Sequence, residues 1–135
     1  MTITLTGRVS VTADVFTYAA GEALLLGNTV YINTDGKVYK AKADNIATMP
    51  GIGITLGAAN AGDQVSVLQA GQPATVIRDG NFFANDIIVV SPTSAGSLTN
   101  VAPTAVGQFI QIMGIAKDSS SLVLQIDHTV IEVRE

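Results

Sequence analysis

From residue 3 to residue 11 apolar and polar side chains alternate, with Ile3, Leu5, Val9 and Val11 on one side and Thr4, Thr6, Arg8 and Ser10 on the other. That two-residue period predicts a half-buried strand. Its plain reading is an edge strand of the domain's own sheet; its sharper reading is an arm, residues 1–12, that pairs with a neighbouring subunit by strand addition. Further on, a strand–turn–strand pattern occurs twice, about 60 residues apart. The first copy reads Gly27 to Asn33, Asp35 to Tyr39 and Gly53-Ile54; the second reads Asn85 to Ser91, Ala95 to Thr99 and Gly114-Ile115. Neither copy uses a residue that chemistry would need, so the duplicated unit reads as building material.

Within the first copy Asp35-Gly36 separates two strand-like runs, Val30 to Asn33 and Lys37 to Lys40. A Gly after Asp supplies the positive φ that tight hairpin turns require, so a hairpin is predicted. Residues 42–50 break the alternation and Met49-Pro50 restricts the backbone, which predicts a loop with at most one helical turn. Strands are expected again over 52–56, 65–68 and 74–78. In the second copy they are expected over 87–90, 98–101, 109–116 and 122–126. The run 129–134 is strand-like and either finishes the sheet or crosses to a partner. Gly53 and Gly114, each followed by Ile, mark equivalent places where strands bend or backbones approach closely. No long window keeps a helical period. The expected fold is all-β: one domain over 1–135, a small sandwich or barrel-like body built from units 20–78 and 79–126, with strand-like terminal arms at 1–12 and 127–135.

Composition changes this picture in one respect. The chain of 135 residues is large enough for a core without disulfides, and it has no cysteine. Only 13% of residues are charged, about half the usual quarter. So little charge implies either a small free surface or a surface covered by other subunits. The formal net charge is -4, and the lysines gather only at Lys37, Lys40 and Lys42 before the isolated Lys117. Binding to a phosphate backbone needs several convergent basic contacts, so no nucleic-acid partner is expected. The longest uninterrupted apolar runs, Ala23 to Leu26 and Ile87 to Val90, fall far short of the roughly 20 residues of a membrane helix. The first residues lack the basic start and apolar stretch of a secretory signal, and no membrane partner is expected.

Candidate chemistry is sparse. His128 is the only imidazole, and a metal or acid–base site ordinarily recruits further ligands or a partner. Gly51 to Gly57 lacks the glycine spacing, lysine and following helix of a phosphate loop. Asn33 to Gly36 opens like a calcium loop but lacks its later ligands, and a hairpin turn accounts for it. Asp14, Glu22, Asp44, Asp63, Asp79, Asp86 and Asp118 are scattered through turns without an acid–base pair. No enzymatic activity, catalytic residue, cofactor or metal is therefore expected. The candidate interface residues are Thr2, Ile3, Leu5, Val9 and Val11, followed by Val130, Ile131 and Val133.

The series Gly27-Asn28-x-Val30-Tyr31, Asp35-Gly36-Lys37-Val38-x-Lys40-Ala41-x-Ala43, Met49-Pro50-x-Ile52-Gly53-Ile54 and Ala61-Gly62-Asp63-x-Val65 resembles small β domains of tailed-bacteriophage virion proteins. These include capsid decoration, or cement, proteins and the particle-anchored head domains of fibres. The likeness covers roughly residues 20–70 well and the second unit more loosely. It implies a non-enzymatic domain, commonly trimeric, made in the host cytoplasm and placed on the outer capsid surface, where it clamps neighbouring major capsid protein subunits. Without a coiled coil or repetitive shaft after the domain, a compact decoration protein is favoured over a fibre. A receptor- or carbohydrate-binding accessory domain is the alternative, although the chain has no Trp to serve as a sugar platform.

Overall fold

In the computed structural model, which describes residues 14–134, the duplication in the sequence becomes a duplication of sheet order. The described residues form eleven strands: β1 (Val15–Ala19), β2 (Thr29–Ile32), β3 (Val38–Lys40), β4 (Gly53–Thr55), β5 (Gln64–Leu68), β6 (Ile87–Val90), β7 (Leu98–Thr99), β8 (Phe109–Ile110), β9 (Ile112–Ala116), β10 (Leu122–Leu124) and β11 (Ile131–Glu132). The first sheet has the order β1-β5-β4-β2-β3 and the second β10-β9-β6-β7, while β11 and β8 make a separate pair. Without β1, the two orders are the same, strand for strand.

Register follows suit. Thr29 and Val30 face Ile54 and Gly53, as Ile87 and Ile88 face Ile115 and Gly114. Ile54 and Thr55 face Leu68 and Val67, as Ile115 and Ala116 face Val123 and Leu122. Each unit opens with the same isolated parallel bridge, Ala20 to Val38 in one and Arg78 to Leu98 in the other. The hairpins turn on Gly36 and Gly96, with φ of 80° and 77°, a region that residues with a Cβ seldom occupy. All ladders between strands are antiparallel, and the sheets stay open in a sandwich-like arrangement; the barrel-like option does not hold.

Two glycines fix how closely the strands approach. A Cβ on Gly53 would collide with the carbonyl oxygen of Leu68, and one on Gly114 with that of Val123. These are the same place in the two units, β4 against β5 and β9 against β10. Opposite them the unit's own apolar side chains are buried. Leu24, Val30, Val38, Ile52 and Val67 belong to a smaller cluster, and their counterparts Phe82, Ile88, Leu98, Met113 and Leu122 belong to a larger one.

The larger cluster also takes in Tyr31, Ile54 and Leu68 from the first sheet. Since successive strand residues point to opposite faces, Val30 enters one cluster and Tyr31 the other, and the first sheet is covered on both sides. The two units therefore stack in series: the outer face of the first sheet lies on the inner face of the second. Polar groups complete the seam. The Gln111 side chain accepts the Gly51 N–H at 2.7 Å and donates to the Gly51 carbonyl at 2.8 Å, both groups buried. The Ala41–Ala43 segment receives Gly96 N–H at Ala41 and donates from Ala43 to the Ser91 carbonyl.

Several expected elements are corrected. Residues 74–78 form no strand; Pro73 precedes them, and Ile77 donates instead to the Gly27 carbonyl. The run 109–116 divides into β8 and β9 at Gln111, whose side chain is committed to Gly51. The runs 98–101 and 122–126 shorten to β7 and β10, and residues 46–48 supply the expected single turn as a 3-10 helix. Strand β1 is an addition that sequence reading leaves unassigned. We expect Gly53→Ala and Gly114→Ala each to lower stability by about 1–3 kcal/mol in denaturant melts, because the colliding atom is backbone and cannot rotate aside. Gly57→Ala, with nothing within 4 Å of the added carbon, is expected to change it by less than about 0.5 kcal/mol. In the same assay Gln111→Leu, which leaves a buried N–H and carbonyl unpaired, is expected to cost about 2 kcal/mol or more.

Candidate functional site: open apolar surfaces on the stacked sheets

Among the described residues, serial stacking leaves part of one sheet face open: on the outer side of the second sheet Val89 and Thr99 are buried, but the strands beside them stay exposed. In the first sheet the cross-strand row Thr29, Ile54 and Leu68 is buried, at 0%, 0% and 5% exposure. The same row in the second sheet is Ile87, Ile115 and Val123, direct register partners across β6, β9 and β10. These are 57%, 40% and 38% exposed. Ile112 joins them because the register shifts between Ile88 and Val89, which leaves Met113 unpaired and buried while Ile112 stays on the outside. Lys117, just past β9, turns its ammonium toward the Gln72 side chain at 3.4 Å. The row itself carries no charge. Contiguous exposed aliphatic side chains on adjacent strands mark interaction surfaces far more specifically than scattered ones do.

The second surface is the rim formed by β1, which among the described strands has β5 as its one ladder partner. Asp14 accepts from Gln69 N–H, and Ala20 donates to the Asp63 carbonyl. Even-numbered residues thus bond toward β5, and the backbone groups of Val15, Thr17 and Ala19 point away from it. Val15 and Phe16 are about half exposed. The strand contains neither Pro nor a charged residue, the usual protections of a sheet edge.

A third feature is a cleft of 330 Å³ lined by Asp79, Pro92, Thr93, Val101, Pro103 and Gln108 among others. Asp79 Oδ2 accepts the hydroxyls of Ser91 and Thr93, each at 2.7 Å. Hydrogen bonds first from Ser91 and then from Thr93 hold the carboxyl below its ordinary pKa. Ser91 Oγ in turn accepts the N–H groups of Thr93 and Ser94. The network ties the 91–94 turn to the strand bridge at Arg78, and its chemistry is that of a turn anchor. Asp35 serves the same purpose in the first hairpin, accepting the Tyr39 hydroxyl and the Lys37 N–H, and its pKa is lowered by those two bonds in that order.

Of the residues singled out from sequence, Thr2, Ile3, Leu5, Val9 and Val11 lie outside the described residues. Ile131 pairs with Ile110 in the chain's own β8–β11 ladder, Val133 donates to the Gln108 carbonyl, and Val130 packs against the larger core cluster. Ile131 remains 58% exposed. His128 is exposed, and its neighbour Asp127 accepts the Thr129 N–H at 2.9 Å. Among the described residues no group of three or more His, Cys, Asp or Glu side chains could hold a metal ion. Sequence reading missed the Ile87–Ile115–Val123 row. Its one signal was the unbroken run Ile87 to Val90, which is apolar on both strand faces. No protein-family model matches the chain, and no curated protein matches its sequence.

The Asp79 anchor carries a pH dependence. Its carboxyl pKa is lowered in the folded state, so its contribution to stability is full above the unfolded value of about 3.9 and fades as pH falls through the folded value. Asp79→Asn is expected to lose about 1 kcal/mol or less at neutral pH, since the group is only partly shielded from water. The deficit relative to the unmodified protein should shrink on going to about pH 3, as read by urea melts at the two pH values.

Proposed function

We propose that this chain is a non-enzymatic structural protein of a tailed-phage virion: a decoration protein that lies on the outer capsid surface, bridges major capsid protein subunits and stabilises the expanded head as a homotrimer. The observation that carries the reading is a pair of surfaces left open by the described residues, an uncharged aliphatic row across three strands and the outer rim of β1. Both are of the kind that proteins close by association. The resemblance of residues 20–70 to virion β domains supplies the context, and the sparse charge and acidic balance suit a subunit set among other protein subunits rather than one packed on DNA.

The physical mechanism is area and multiplicity. Each copy buries apolar and hydrogen-bonding surface across a seam between capsid subunits. Because a bound copy stabilises only the assembled state, occupancy shifts the equilibrium toward the intact shell. Contacts to two subunits at once make loss of either one slower than a single contact would. Heating or chelating purified particles with and without this protein tests the reading. Particles lacking it are expected to release DNA at a lower temperature; equal robustness would overturn it.

A further inference from the structure

We infer that Tyr39 at one site, and Ser91 with Thr93 at another, protect the two Asp-Gly bonds of this chain from isomerisation, so that their hydroxyl hydrogen bonds serve chemical durability as well as anchoring turns. The inference goes beyond the assembly reading above and does not rest on it.

Asp-Gly occurs twice in the sequence, at Asp35-Gly36 and Asp79-Gly80, and no Asn is followed by Gly. Such a pair is prone to rearrange, because glycine has no side chain to shield its own nitrogen and leaves the backbone free to turn. The Gly nitrogen attacks Asp Cγ and a C–N bond forms. The C–OH bond breaks, and the hydroxyl takes up the N–H proton and leaves as water, giving a five-membered succinimide. Hydrolysis returns the water and opens the ring at either carbonyl. One opening restores aspartate; the other leaves isoaspartate, with an extra carbon in the main chain and no change of mass. Water is the only co-reactant, and both glycines are exposed to it, with φ of 80° and 92°.

Ring closure needs a neutral carboxyl, since an ionised one has no hydroxyl to expel, and it needs Cγ free to turn toward the Gly nitrogen. Both conditions are opposed here. Asp35 Oδ1 accepts the Lys37 N–H at 2.9 Å and Oδ2 accepts the Tyr39 hydroxyl at 2.6 Å, so each oxygen is tied to a donor that favours the anion. The attacking group is tied as well, for Gly36 N–H donates to the Asn33 carbonyl at 2.9 Å. Packing fixes the Tyr39 ring: it lies 5.9 Å from the ring of Tyr31, its register partner, and over Gly21, where a Cβ would collide with it. Asp79 reaches the same end with other donors, the Ser91 and Thr93 hydroxyls at 2.7 Å on Oδ2. The lowered pKa of both carboxyls, set first by Tyr39 at Asp35 and first by Ser91 at Asp79, leaves less of the reactive neutral form. At Asp35 an added backbone carbon would fall inside the turn that Asn33 N–H closes on the Lys37 carbonyl, and so would shift the β2–β3 register.

Peptide mapping of the purified full chain after prolonged warm incubation in neutral buffer tests the inference, with isoaspartate read by fragmentation that distinguishes it from aspartate. Both bonds are expected to isomerise many-fold more slowly in the folded chain than in the same chain held unfolded in urea. Tyr39→Phe keeps the ring and removes the donor; it is expected to raise the rate at Asp35-Gly36 several-fold and leave Asp79-Gly80 at its unmodified rate. Thr93→Val is expected to do the reverse. Each variant thus carries its own control, because mere loosening of the fold would speed both bonds together. Unmodified rates at Asp35-Gly36 in Tyr39→Phe, acceleration of both bonds by either variant, or a folded chain that isomerises as fast as the unfolded one would overturn the inference.

Discussion

The contact on which the rest of the molecule depends is the outer face of the first sheet lying on the inner face of the second. Tyr31, Ile54 and Leu68 on one side meet a layer that includes Ile88, Leu98, Met113 and Leu122 on the other, all of them buried. Each such side chain contributes about 1.5–3 kcal/mol by leaving water. The layer does more than stabilise. It makes the second unit's core out of the first unit's back, so the second sheet has no complete core without the first. It also sets the seam at which Gln111 must find Gly51 and Ala43 must find Ser91.

Serial packing of this kind is directional, and direction creates ends. At one end the smaller cluster is closed by residues that precede β2, chiefly Ala20 and Leu24. At the other end no described residue closes over the Ile87–Ile115–Val123 row in the same way. The asymmetry can be read position by position from the duplication: Thr29 and Ile87 share a register but not an environment, one at 0% and the other at 57% exposure. An aliphatic residue stands at the exposed position, where a polar one would be adequate for a solvent-facing strand, and the proposed assembly role rests on that difference. The functional reading grows from that end of the stack, with β1 supplying a second place where backbone groups face outward.

Much of this was legible in the residues. Alternation and the Asp35-Gly36 turn gave the β2–β3 hairpin, and the repeated Gly-Ile pair pointed to the two sites of close backbone approach, where the carbonyls of Leu68 and Val123 now lie. Other features were beyond reach of local pattern. The run Ile87 to Val90 is apolar throughout, so period alone could not say which side faces the core. Val76 and Ile77 favour a strand locally, yet Pro73 and the bond from Ile77 to Gly27 draw that segment across the first sheet. Gln111 looks like an ordinary polar strand residue, and only the opposing Gly51, 60 positions away in sequence, explains its burial. In β1 both faces carry apolar or aromatic groups, Val15 against Phe16 and Tyr18, so no polar side identifies it as a strand.

The proposed decoration role requires many copies of this chain on each particle, and their number tests it most directly. Quantifying this chain against the major capsid protein in purified virions of its source should give close to one copy per capsid subunit. A few copies per particle, or none, would contradict a lattice-wide decoration role.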